Sequence, residues 1–156
     1  MLRLTLGLLL AGISTSSMAE TLTFTDFGID VASDWTHTVE RGKTVGDAEG
    51  DLISIYLSGS SAVLKLQSYV APTDVSRSRL RMLTNIDSST DLTWQDWGDF
   101  SGYEYSYVER GSFFKQWWLL DQGTIIWATY ETDADEQRVE IETIDSMIGS
   151  ITSIME

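Results

Sequence analysis

The chain has 156 residues, no cysteine, and 24 Asp and Glu against 10 Lys and Arg, for a net charge of −14. Without cysteine there is no disulfide framework and no thiolate metal site, so a hydrophobic core must hold the fold alone. A field of this sign repels nucleic acid and anionic lipid surfaces; it favours cations or a basic protein partner, or is simply a well-solvated surface.

Arg3 precedes an apolar run from Leu4 to Ile13, and a small-residue stretch ends in Ser17-Met18-Ala19. That is the order of a secretory signal peptide, with cleavage expected after Ala19. The run is shorter than the roughly 20 residues of a membrane span, and no other stretch qualifies. The expectation is a signal peptide over 1–19 and a single α/β domain over 20–156. An exported chain without disulfides points to a bacterial periplasm.

Thr21 to Phe24 reads as an edge strand, and Trp35 to Glu40 as a second with Trp35, His37 and Val39 on one face. Arg41 to Gly50 reads as a polar turn region. Asp51–Leu57 and Ala62–Val70 form a hairpin through Ser58-Gly59-Ser60-Ser61. Pro72 ends it, and Thr73 is placed to cap a helix over Asp74–Ile86 with a Leu80, Leu83, Ile86 stripe. Asp87–Asp91 is loop, and Leu92–Trp97 a further strand.

The most informative stretch is Ser101–Asp133, three strands joined at Arg110-Gly111 and at Asp121-Gln122-Gly123. In the first, Tyr103, Tyr105 and Tyr107 point one way, and Glu104, Ser106 and Val108 the other. The second is apolar on both faces: Phe113, Trp117 and Leu119 on one, Phe114, Trp118 and Leu120 on the other. Such a strand lies inside a sheet covered on both sides. A final helix follows, with Asp133 and Glu136 spaced as a capping box and a stripe of Ile141, Ile144, Ile148, Ile151 and Met155. The fold class is α/β (α+β): an antiparallel sheet flanked by helices, with no internal repeat.

The layout resembles the PsbP-like group, which includes the DcrB-type bacterial exported proteins. The features that carry it are Asp34-Trp35 after a short first strand, the hairpin before a mid-chain helix and Gly102-Tyr103-Glu104 at a strand start. The Trp118-to-Thr129 pair broken by Gly123 and the ending Ile148-Gly149-Ser150-Ile151 complete it. The resemblance implies a binding or assembly scaffold, since the group includes photosystem accessory proteins, a regulator of a small GTPase and proteins tied to bacterial secretion. Some periplasmic immunity proteins against secreted toxins look similar in fold.

No assembled catalytic motif is present, and no cofactor is implied. His37, the single histidine, alternates with Trp35 and Val39 and reads as structural, and no G-x-S-x-G elbow exists. Asp47, Glu49 and Asp51 offer oxygen ligands of the kind Ca²⁺ prefers. The EF-hand spacing fails, with Leu52 and Ser58 where glycine and glutamate belong, so no metal site is assigned and a solvated acidic loop is favoured. Glu104 with Glu109, or Asp96 with Asp99 near Trp94 and Trp97, are the carboxylate pairs a carbohydrate hydrolase would need. Arg77 and Arg81 share a helical face and could grip a carboxylate or phosphate, or pair with surrounding acids.

The aromatic set Trp94, Trp97, Tyr103, Tyr105 and Tyr107 is the candidate partner-binding surface, with burial beneath a helix as the alternative. The function expected is a non-catalytic periplasmic accessory protein engaging a protein partner, with an immunity protein as its sharper form. The alternatives are a carbohydrate-active hydrolase and a carrier of a small apolar ligand held between helix and sheet. Oligomeric state is not encoded in these patterns.

Overall fold

The computed structural model describes residues 19–45, 48–71 and 73–154. Residues 1–18 of the expected leader, Asp47, Pro72 and Met155 lie outside the described residues.

The main sheet has seven antiparallel strands in the order β3-β4-β5-β9-β8-β7-β6. They are β3 (Trp35–Val45), β4 (Ala48–Leu57), β5 (Val63–Val70), β6 (Gln95–Trp97), β7 (Phe100–Glu109), β8 (Ser112–Asp121) and β9 (Thr124–Asp133). A second sheet of β1 (Glu20–Thr23), β2 (Phe27–Val31) and β10 (Thr152–Ser153) runs β1-β2-β10. Among the described residues there are two helices, α1 (Arg77–Leu83) and α2 (Gln137–Gly149).

The β7-β8-β9 meander is the part most directly dictated by sequence. Arg110-Gly111 and Gln122-Gly123 have positive φ at both positions (51° and 81°, 45° and 89°), the requirement of the tight mirror-image turns that match strand twist. Each two-residue turn fixes a register, so Tyr107 faces Phe114 and Trp118 faces Trp127. On one face of this sheet Trp117, Leu119, Ile126 and Ala128 join Leu64, Leu66, Phe27, Ile29, Ile144 and Ile148 in the larger core. On the opposite face Trp118, Ile125 and Tyr103 form a smaller core with Leu80 of α1. Strand β8 is thus covered on both sides, with β9 as the middle strand.

Several elements differ from expectation, each for a local reason. The first strand pairs with β2, a short segment whose Phe27, Ile29 and Val31 are fully buried although Gly28 and Asp30 give it a turn-like composition. The supposed turn region 41–50 is largely a continuation of the β3-β4 hairpin, where a bulge between Glu40 and Lys43 absorbs Arg41 and Gly42. Helix α1 starts three residues late by the expected capping residue: Ser76, not Thr73, is the cap, and its hydroxyl accepts from Arg79 N–H. It ends where Asn85 turns to φ 54°, so Ile86 lies beyond it. The final helix starts after Glu136, because β9 runs through Asp133 and the Glu136 carboxylate is engaged elsewhere. The strand expected over 92–97 is confined to 95–97.

Glycine matters most at Gly102, where a Cβ would collide with the Trp118 carbonyl oxygen and the backbone of Leu119. Gly98, at φ 65°, allows the same close approach of the β6-β7 turn to Ile151.

Candidate functional site

The aromatic residues singled out in sequence divide into three groups. Tyr103 is core: it meets Trp94 edge to face at 5.1 Å beneath α1, and the Arg77 guanidinium lies 4.4 Å from the Trp94 ring centre. Tyr105 and Tyr107 continue along the same face and stack at 5.8 Å. Tyr107 stacks in turn on Phe114 at 5.0 Å with the rings 16° apart. The result is a ladder of three half-buried rings, with Tyr107 and Phe114 outside the cluster under α1. Sequence reasoning left Phe114 out of this surface. The two-residue turn at Arg110-Gly111, which pairs it with Tyr107, is the signal that places it there.

Trp97 is not part of the ladder. It lies on the opposite face, edge-on to Trp117 at 6.1 Å. An odd spacing along an extended segment separates it from Trp94, which is the signal that puts the two on different faces. Between Trp97 and Trp117 sits Lys115, whose ammonium is 5.6 Å and 5.1 Å from the two ring centres. Its Nζ is 2.9 Å from Glu104 Oε2 and 2.8 Å from Asp145 Oδ1, so this buried cation ties α2 to the sheet.

The other candidates are spent on structure. Arg81 donates to Thr84 Oγ1 and to the carbonyls of Ile86, Asp87 and Thr90, all at 2.9 to 3.1 Å, and so holds the segment after α1. Arg77 covers Trp94. The shared helical face is real, but it points at residues 84–94 of its own chain. Asp51 pairs with Arg41 at 2.5 Å on the β3-β4 hairpin, and Glu49 belongs to β4. Among the described residues no three His, Cys, Asp or Glu side chains converge as a metal site. Asp96 accepts from Ser101 Oγ at 2.6 Å, and Asp99 from Ser153 N–H at 3.0 Å. His37 is half-buried between Trp35 and Val39, opposite Ile55.

Two features were not foreseen. One is a buried hydroxyl-carboxylate network. Glu140 Oε2 accepts from Tyr130 OH at 2.9 Å and Thr132 Oγ1 at 3.2 Å, and its Oε1 from Ser60 Oγ at 2.6 Å. Glu136 Oε2 accepts from Ser60 at 2.9 Å and Ser61 at 3.1 Å. Burial, then the bond to Glu140, pushes the Tyr130 phenol far above its ordinary range. Hydroxyls of Ser60 and Ser61 hold the Glu136 carboxyl below its usual value. The other feature is an open cleft of about 730 Å³ between the Phe24–Asp26 loop, the ends of β4 and β5, and the segment from Thr73 to Leu83.

No protein-family model matches the chain, and no curated protein matches it by sequence. Solved structures do match. The solution structure of cyanobacterial PsbP (CyanoP) from Synechocystis sp. PCC 6803 superposes with a TM-score of 0.64 at 12% identity, over 92% of this chain and 96% of that one. The fold is PsbP-like. A crystal structure from Bacteroides thetaiotaomicron aligns at TM-score 0.58 and 13% identity over 83% of this chain. There the PsbP-like chain spans less than half of its neighbour, 46% of that length. At such identities the likeness is one of fold: an antiparallel sheet with helices against it. Among the described residues no helix is long and apolar enough to cross a membrane.

Proposed function

We propose that this chain is a non-catalytic exported accessory protein that works in the periplasm by engaging a basic protein partner. In this reading residues 1–19 are a signal peptide and 20–156 a single domain of PsbP-like build, related to the DcrB-type exported proteins. The observation that carries it is the Tyr105, Tyr107, Phe114 ring ladder on the outer face of the sheet, within a chain of net charge −14. Rings with a polar edge supply contact area at low entropic cost, and the acidic field steers a basic partner onto them. An immunity protein that occupies the cleft of a basic toxin is the sharper form.

A hydrolase is less well supported, because Glu104, Asp96 and Asp99 are each engaged by Lys115, Ser101 or Ser153. The test is capture of proteins from a donor-cell lysate and its secreted fraction on immobilised protein, at low and high salt. One basic protein, weakened by salt and lost with Tyr107→Ala plus Phe114→Ala, supports the reading. No retained protein, or retention indifferent to both changes, sinks it.

A further inference from the structure

We propose that the cleft between β4, β5 and the segment leading through α1 binds a small amphipathic cation, an amine carried on an apolar body. The cleft lies where the paired register of β4 and β5 ends, although the Gly50 backbone still packs against the Ser68 carbonyl. The β4-β5 ladder stops at Leu52↔Gln67, whereas β5 stays paired with β9 as far as Val70↔Thr124. Phe24 and Val75 both line the cleft beside these strand ends. A volume of about 730 Å³ is in the range of small-molecule sites.

The lining specifies both halves of the ligand. Ile53, from the larger core, and Ile125, from the smaller core on the opposite face, are fully buried lining residues, while Val70 and Leu83 line the cleft yet remain 67% and 43% exposed. An apolar body seated against Val70 and Leu83 removes their surface from water, which favours binding in proportion to area. Four charged side chains line the same space. Asp51 is neutralised by Arg41. Asp26 is half-buried and, among the described residues, accepts one hydrogen bond, from Ser68 Oγ at 3.0 Å. Asp74 and Arg79 are both exposed at the rim, and neither side chain makes an ion pair among the described residues. Two uncompensated carboxylates therefore face one outlying guanidinium. The inner of these charges is Asp26, so the cleft prefers a cation, and the field of the whole chain acts in the same direction. Burial raises the Tyr69 phenol, which stays neutral and can accept a hydrogen bond from an ammonium.

The experiment is calorimetric titration of the purified protein with octylammonium, 1-octanol and octanoate, all below their aggregation limits. These probes share one apolar chain and differ only in head group. Octylammonium is expected to bind saturably at one site, about tenfold tighter than 1-octanol, with octanoate weakest. Asp26→Asn should bring octylammonium to the level of 1-octanol and leave 1-octanol unchanged, with the near-UV dichroism of the native fold retained. Leu83→Gln, at an exposed position, should weaken both. Octanoate binding as tightly as octylammonium, an Asp26→Asn variant with unaltered preference, or no saturable octylammonium binding would each overturn the proposal. The cleft shares no residue with the ring ladder, so either result leaves the partner reading to its own test.

Discussion

Tyr130 donates its phenol hydrogen to Glu140 at 2.9 Å in the interior, joining the middle strand of the sheet to α2 without any cation among the bonds Glu140 accepts. Thr132 and Ser60 supply the remaining donors. A buried carboxylate held by hydroxyls alone depends on every one of them. Tyr130→Phe keeps the ring and removes one donor, so unfolding in urea should show a loss of about 1–3 kcal/mol.

The same phenol gives an alkaline signature. Its folded-state affinity for the proton is raised by burial and then by Glu140, so folded Tyr130 stays neutral where an unfolded tyrosine ionises. Its contribution is complete below the unfolded value of 10.0 and falls as pH rises above it. Melting temperatures from pH 9 to 12 should drop less steeply in Tyr130→Phe than in the parent.

Glu136 supplies the acid counterpart. Its carboxyl is held below its ordinary value of 4.5 by Ser60 and Ser61, so the stabilisation is present above that value and lost as pH falls through the lower folded one. Ser61→Ala should leave neutral-pH folding in place and flatten the acid limb of a stability-against-pH curve. An unchanged acid limb would contradict this assignment.

Arg81 offers a test of the segment after α1. Its guanidinium fork spans one hydroxyl and three carbonyls, a geometry lysine cannot reproduce. Arg81→Ala and Arg81→Lys should both destabilise, Arg81→Ala by about 2 kcal/mol. Amide exchange should rise across residues 84–90 first. Full rescue by lysine would show that charge, and not the fork, is what counts.

Gly102→Ala should be far more harmful than its size suggests. The new methyl meets the Trp118 carbonyl and Leu119 backbone rather than a movable side chain. A loss of about 3 kcal/mol is expected, measurable as a shifted urea midpoint. Gly149, with nothing near its added Cβ, should accept alanine readily.

The sequence alone determined the β7-β8-β9 meander and the coverage of β8 on both faces. Those follow from period-two alternation and from two-residue turns, which are properties of neighbouring residues. It also signalled amphipathic helices before and after the meander, though not their ends, because a competing strand or cap residue displaced each boundary. Only the tertiary structure decided that β2 is a strand, that Arg81 serves its own backbone and that Phe114 completes the ring ladder while Trp97 faces elsewhere. It alone brought Ser60 to Glu140, 80 residues apart, and formed the cleft beside the ends of β4 and β5. Such features arise where distant segments meet, and no local spacing encodes which hydroxyl reaches which carboxylate or which loops wall a cleft.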